Sequence, residues 1–130
     1  MQLAVFLVED NEEIRANLVG ALEELTGVKV VGDAASEDDA MAWTAGHPHA
    51  WDLMIVDLFL KGGNGIRLLE RVKRAREAQK LVVFSNYVNS AVRKRCAQIG
   101  VDAVFDKSNE IDALVDYCIA QAARINTPGG

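Results

Sequence analysis

Five short apolar runs, each followed by a stretch with helical spacing, constrain what this chain can fold into. The runs cover residues 3–8, 28–31, 53–56, 81–84 and 103–105. Strand-like runs that alternate with helical patterns signal an α/β fold on a parallel sheet. The first run is almost continuously apolar, as a strand covered on both faces should be. Asn11 can cap the next helix, where Ile14, Leu18, Leu22 and Leu25 recur at helical spacing until Gly27 stops it. Ser36 followed by Glu37, Asp38 and Asp39 reads as a helix start with acids in its first turn, ending near Gly46 and before Pro48. Ile66, Leu69 and Val72 mark a third helix, with Arg67, Arg71, Lys73, Arg74 and Arg76 turned outward as a solvated face or, alternatively, a docking patch. Val88, Val92, Cys96 and Ile99 predict a fourth helix, closed by Gly100. A fifth starts after Ser108 or Asn109, with Ile111, Leu114, Val115 and Ile119 inward.

Crossovers in such sheets are right-handed, and ligands bind outside the carboxyl ends of the strands where strand order reverses. For five strands this predicts the flavodoxin-like order 2-1-3-4-5, with helices on both faces. Polar groups follow four of the runs: Glu9-Asp10 the first, Asp57 the third, Ser85 the fourth and Lys107 the fifth. In that order three carboxylates, a hydroxyl and an ammonium converge on one crevice. A nucleotide site would place glycines after the first strand, so that backbone amides could approach phosphate. Here that turn is Glu9-Asp10-Asn11-Glu12-Glu13, which repels a bare phosphate. Clustered carboxylates suit a hard cation instead, and Mg²⁺ commonly combines one or two carboxylates with water and phosphate oxygens.

The 130 residues fit one domain, expected over residues 1–124 with a flexible tail at 125–130. A net charge of −5 argues against general affinity for nucleic acid or anionic membranes. No apolar stretch approaches the ~20 residues of a membrane span. The first ten residues lack the basic region and cleavage site of a secretion signal. Cys96 and Cys118 have neither metal nor redox spacing and read as reduced core residues. A cytoplasmic location is the expectation.

The ordered set Phe6-Leu7-Val8-Glu9-Asp10-Asn11, Ile55-Val56-Asp57-Leu58, Val82-Val83-Phe84-Ser85 and Phe105-Asp106-Lys107-Ser108 resembles the receiver domain of two-component response regulators, of the chemotaxis type. The resemblance spans the whole chain. It implies that Asp57 is the phosphoacceptor, attacking a phosphohistidine on a histidine kinase or histidine phosphotransfer protein. It further implies that Asp10, Asp57 and the Phe59 carbonyl bind Mg²⁺, with Glu9 acting through water. Ser85 would bond one phosphoryl oxygen and Lys107 would neutralise another. Several positions depart from the family pattern. Glu9 replaces the commoner aspartate, and Lys61 and Ser108 stand where prolines are usual. Val104 occupies the usual place of an aromatic switch residue, while Phe105 should face the opposite way and belong to the core.

The expected function is that of a stand-alone receiver, which signals by phosphorylation-dependent binding to another protein. Helix four, strand five and helix five would form the output face, and a second copy of the chain is one partner it could take. Such a protein is not an enzyme in the usual sense, although it catalyses its own phosphoryl transfer and slow autodephosphorylation. No nucleic acid or membrane contact is expected of these residues. A receiver-shaped adaptor that is never phosphorylated stays open, as does the receiver part of a truncated transcription regulator. An aspartyl-nucleophile phosphatase fits poorly, because Phe59 stands where such enzymes carry a second aspartate.

Overall fold

A computed structural model describes residues 2–125. In chain order the elements are β1 (Ala4–Val8), α1 (Glu12–Thr26), β2 (Lys29–Ala34), α2 (Glu37–Gly46), β3 (Leu53–Val56), α3 (Gly65–Arg71), β4 (Lys80–Ser85), α4 (Ser90–Ile99), β5 (Ala103–Asp106) and α5 (Ile111–Ile125). All strand pairs are parallel, in the order β2-β1-β3-β4-β5. The expected fold class is therefore the observed one. Ile125 closes α5, and the remainder of the expected tail lies outside the described residues. Among those residues no helix is long and apolar enough to cross a membrane.

Two apolar layers form, because alternate strand residues point to opposite faces. Phe6, Val8, Met54, Val56, Leu81 and Val83 pack with Ala40, Leu68, Leu69 and Cys96 under α2, α3 and α4. Val5, Leu7, Leu53, Ile55, Val82 and Phe84 pack with Leu18, Leu22, Leu114 and Cys118 under α1 and α5. Both cysteines are buried and free.

The caps explain where the helices begin and stop. Asn11, Ser36, Asn64 and Asn89 each accept a hydrogen bond from the backbone amide three residues on. Gly27 and Gly100 close α1 and α4 in the left-handed conformation.

Some apolar positions lie differently from their sequence reading. Ile14 and Leu25 are exposed, so α1 buries only Leu18 and Leu22 of its expected stripe. In α5 the buried line is Leu114, Cys118 and Ala122, while Ile111 and Ile119 stay exposed. Residues four apart stack on one helix face, and here the smaller side chains take that line. The basic run is not a simply solvated face either. Arg67 and Arg71 bond to Glu37, Arg74 to Asp102 and Arg76 to Asp52.

One glycine ties the fold directly to the end of β3. The Gly65 amide donates to the Leu58 carbonyl at 3.1 Å. A Cβ at Gly65 would lie 2.3 Å from the Asp57 carbonyl oxygen and 2.5 Å from Leu58 Cα. Both obstacles are backbone, which cannot swing aside. Gly65→Ala should therefore destabilise the protein by about 1–3 kcal/mol, as overpacking does, measured by urea unfolding. Gly20→Ala, in open space, should not lower stability.

Candidate functional site

The last ladder bonds of the sheet carry the functional residues just beyond the strands. The Glu9 amide donates to the Ala34 carbonyl at 3.0 Å, the Asp57 amide to Val8 at 3.0 Å and the Lys107 amide to Ser85 at 3.0 Å. Val8 pairs with Val56, Val56 with Val83, and Ser85 with Asp106. Register alone thus brings the ends of β1, β3, β4 and β5 side by side at the point where strand order reverses.

Asp57 is buried at the centre of this crevice. Its Oδ1 accepts from the Ser85 hydroxyl at 2.7 Å and from the Phe59 amide at 3.0 Å. Its Oδ2 accepts from Lys107 Nζ at 2.7 Å. Ser85 is fully buried, and its hydroxyl also accepts from the Leu58 amide at 3.3 Å. Lys107 reaches a second carboxylate, Oε1 of the buried Glu9. The other Glu9 oxygen accepts from the Asn11 amide at 3.0 Å. Asp10 is less buried, and its Oδ2 accepts from the Lys61 amide at 2.7 Å.

Glu9, Asp10 and Asp57 each offer a carboxylate oxygen, and these oxygens lie within 4.8 Å of one another. Lys107 supplies one positive charge against three negative ones. An oxygen-only donor set with surplus negative charge fits Mg²⁺. Among the described side chains no buried polar atom is left without a partner.

Burial opposes the Lys107 charge, but its bonds to Asp57 and Glu9 outweigh that and raise its pKa above the ordinary 10.5. The ammonium therefore stays protonated at neutral pH.

The expected site side chains meet here: Glu9, Asp10, Asp57, Ser85 and Lys107, with Phe59 beside them and Tyr87 against its ring. Phe59 is 56% and Tyr87 82% exposed, with ring centroids 6.0 Å apart in an edge-on contact. Tyr87 has φ 58, which a residue with a bulky side chain seldom adopts. Phe105 packs edge-on against Tyr117 at 5.8 Å, while Val104 faces the opposite apolar layer. Glu37 lies among the acids of the first turn of α2, as the sequence predicts; what the sequence does not show is that it is buried and bonded to the loop after Asp57.

A family model for the response regulator receiver domain matches residues 5–118. The chain belongs to that family. Among curated relatives, the response regulator UvrY of Escherichia coli K12 is 27% identical over 103 residues, covering 79% of this chain and 46% of the relative. The response regulator protein VraR of Staphylococcus epidermidis is 26% identical over 116 residues, covering 89% of this chain and 54% of the relative. The receiver thus spans about half the length of the curated relatives it matches. In fold it is similar to the response regulator domain of Thermotoga maritima CheB, with a TM-score of 0.78, 16% identity and 98% of each chain covered.

The receiver's lysine makes a pH signature testable. A folded pKa raised above 10.5 means that its stabilisation is fully present below that value. It is lost as pH rises through the folded pKa. The stability gap between wild type and Lys107→Gln should stay flat from about pH 7 to 10 and narrow above that range. Urea unfolding over a pH series checks this.

Proposed function

We propose that this receiver takes a phosphoryl group onto Asp57 from a histidine kinase or histidine phosphotransfer protein. The observation that carries the reading is the Asp57 carboxylate itself, buried at the switch point with Ser85 on one oxygen and Lys107 on the other. An Asp57 oxygen attacks phosphorus, a P–O bond forms, and the P–N bond of phosphohistidine breaks with its electron pair returning to the imidazole. The protein's task is then placement and charge neutralisation. The Ser85 hydroxyl is positioned to turn from the carboxylate to a phosphoryl oxygen, and Lys107 to offset the charge on another. Asp10, Asp57 and the Phe59 carbonyl would hold Mg²⁺. Glu9 would act through water, in keeping with its oxygens being engaged by Lys107 and the Asn11 amide. A bound Mg²⁺ supplies further neutralisation of the phosphoryl oxygens.

We read residues 1–124 as the receiver, in a cytoplasmic protein whose output is binding through α4, β5 and α5. Arg93 already bonds Glu110 at 2.8 Å and the Val104 carbonyl at 3.0 Å within one chain. Arg95 bonds Glu70 at 3.0 Å, which leaves Lys94, Asp112 and Asp116 as the charges on this face without an ion-pair partner among the described residues, a complement for a second copy or another partner. A chemotaxis-type receiver acting alone is one form of this reading. The greater length of the curated relatives favours the other, in which the receiver regulates a longer protein.

Incubation with acetyl phosphate and Mg²⁺ should add one phosphoryl group by intact mass, and Asp57→Asn should abolish it. An adduct that persists in that variant, or forms equally in chelator, defeats the assignment. Phe59 stands beside the site with Tyr87 against its ring, without a group suited to activating water, so the aspartyl phosphate should be long-lived. Phe59→Asn should speed its hydrolysis several-fold, followed by loss of the adduct over time; an equal or slower rate counts against shielding.

A further inference from the structure

Glu37 stands apart from its acidic neighbours. Asp38 is almost fully exposed, whereas the Glu37 side chain is 1% exposed. Its Oε1 accepts from the Asn64 amide at 2.9 Å, and Arg67 Nε lies 2.8 Å from both of its oxygens. Arg71 donates to Oε2 at 2.6 Å. These bonds, Arg67 foremost, lower its pKa to about 2. Its own amide donates to the Gly62 carbonyl at 2.9 Å, beside a bridge between Ser36 and Gly62. A Cβ at Gly63, where φ is +97, would lie 2.5 Å from Glu37 Cβ.

A dipole partner at a helix start needs none of this, and a core position would be better filled by an apolar side chain. The grip runs on to the acceptor strand. Asn64, held by Glu37, caps α3 through the Arg67 amide at 3.1 Å. Gly65 follows directly and packs on the Asp57–Leu58 backbone. On the other side of the loop, the Lys61 amide donates to Asp10. Proline, usual at that position, has no amide proton to give.

We propose that Glu37 is a positioning residue for the loop after Asp57. With the Asp10–Lys61 bond, it fixes the backbone that presents the Phe59 carbonyl and the Asp10 carboxylate, and so sets the affinity for Mg²⁺. This rests on the phosphoacceptor reading of the site but concerns the loop rather than the acceptor.

The test uses Glu37→Ala and Glu37→Gln, with Asp52→Asn as a control that breaks an ion pair at the opposite end of the sheet. Mg²⁺ affinity is read by calorimetry, and amide exchange at Lys61 and Asn64 is followed without metal. Glu37→Ala should weaken Mg²⁺ binding roughly 10-fold, the scale on which supporting residues act on metal sites, and speed exchange at both amides. Phosphorylation by acetyl phosphate should slow at limiting Mg²⁺ and recover at saturating Mg²⁺. Asp52→Asn should leave the affinity unchanged. If Glu37→Ala fails to fold, Glu37→Gln, which keeps an acceptor for Asn64, should show the same effects in weaker form. Unchanged Mg²⁺ affinity in a folded Glu37 variant that has lost stability overturns the proposal. Failure of the wild type to take a phosphoryl group would defeat the phosphoacceptor reading instead, while calorimetry and exchange would still decide the role of Glu37.

Discussion

One ammonium between two buried carboxylates organises the functional end of the molecule. Lys107 comes from the end of β5 and bonds to Glu9 after β1 and to Asp57 after β3. Removing such carboxylates from water without a partner would be costly, and a pair of like charges close together would repel. The ammonium offsets both effects while spanning β1, β3 and β5. It therefore holds the crevice in shape and keeps the Asp57 carboxylate polarised but uncommitted. The arrangement still carries surplus negative charge, which leaves room for a cation.

The loop after Asp57 shows how a chain can lack a stiffening residue and still fix its backbone. Proline limits a loop by covalent restriction. Here the constraint is distributed over an amide held by Asp10, a buried carboxylate on α2 and a glycine packed against the Asp57–Leu58 peptide. Each part depends on another element's position, so loop geometry is coupled to α2 and α3 instead of being intrinsic to the loop.

The fold was legible because runs 3–8, 53–56 and 81–84 are short, apolar on both faces and separated by helical patterns, as covered parallel strands are. The site was legible because Glu9, Asp57 and Ser85 follow those runs immediately and Lys107 stands two residues past the fifth run, so strand register brings them together. What escaped depends on contacts between distant helices. Glu37 looks like any first-turn acid, and Arg67 and Arg71 like any basic face, until α2 and α3 are placed together. The buried stripe of α5 runs through Cys118 and Ala122, not Ile119, because the choice between two apolar lines is made by the partner helix. Helical spacing alone does not contain that choice.

The two cysteines divide the molecule in a way that bears on how it opens. Cys96 belongs to the layer under α2, α3 and α4, and Cys118 to the layer under α1 and α5. Burial raises the pKa of both thiols, that of Cys118 to about 12. A thiol with such a pKa is thiolate in only about one molecule in 10⁵ at neutral pH, and the thiolate is the reactive form. Neither sulfur can be reached while its own layer is closed. The chain thus carries one dormant nucleophile on each side of the sheet, and alkylation of each reports the openings that expose that side.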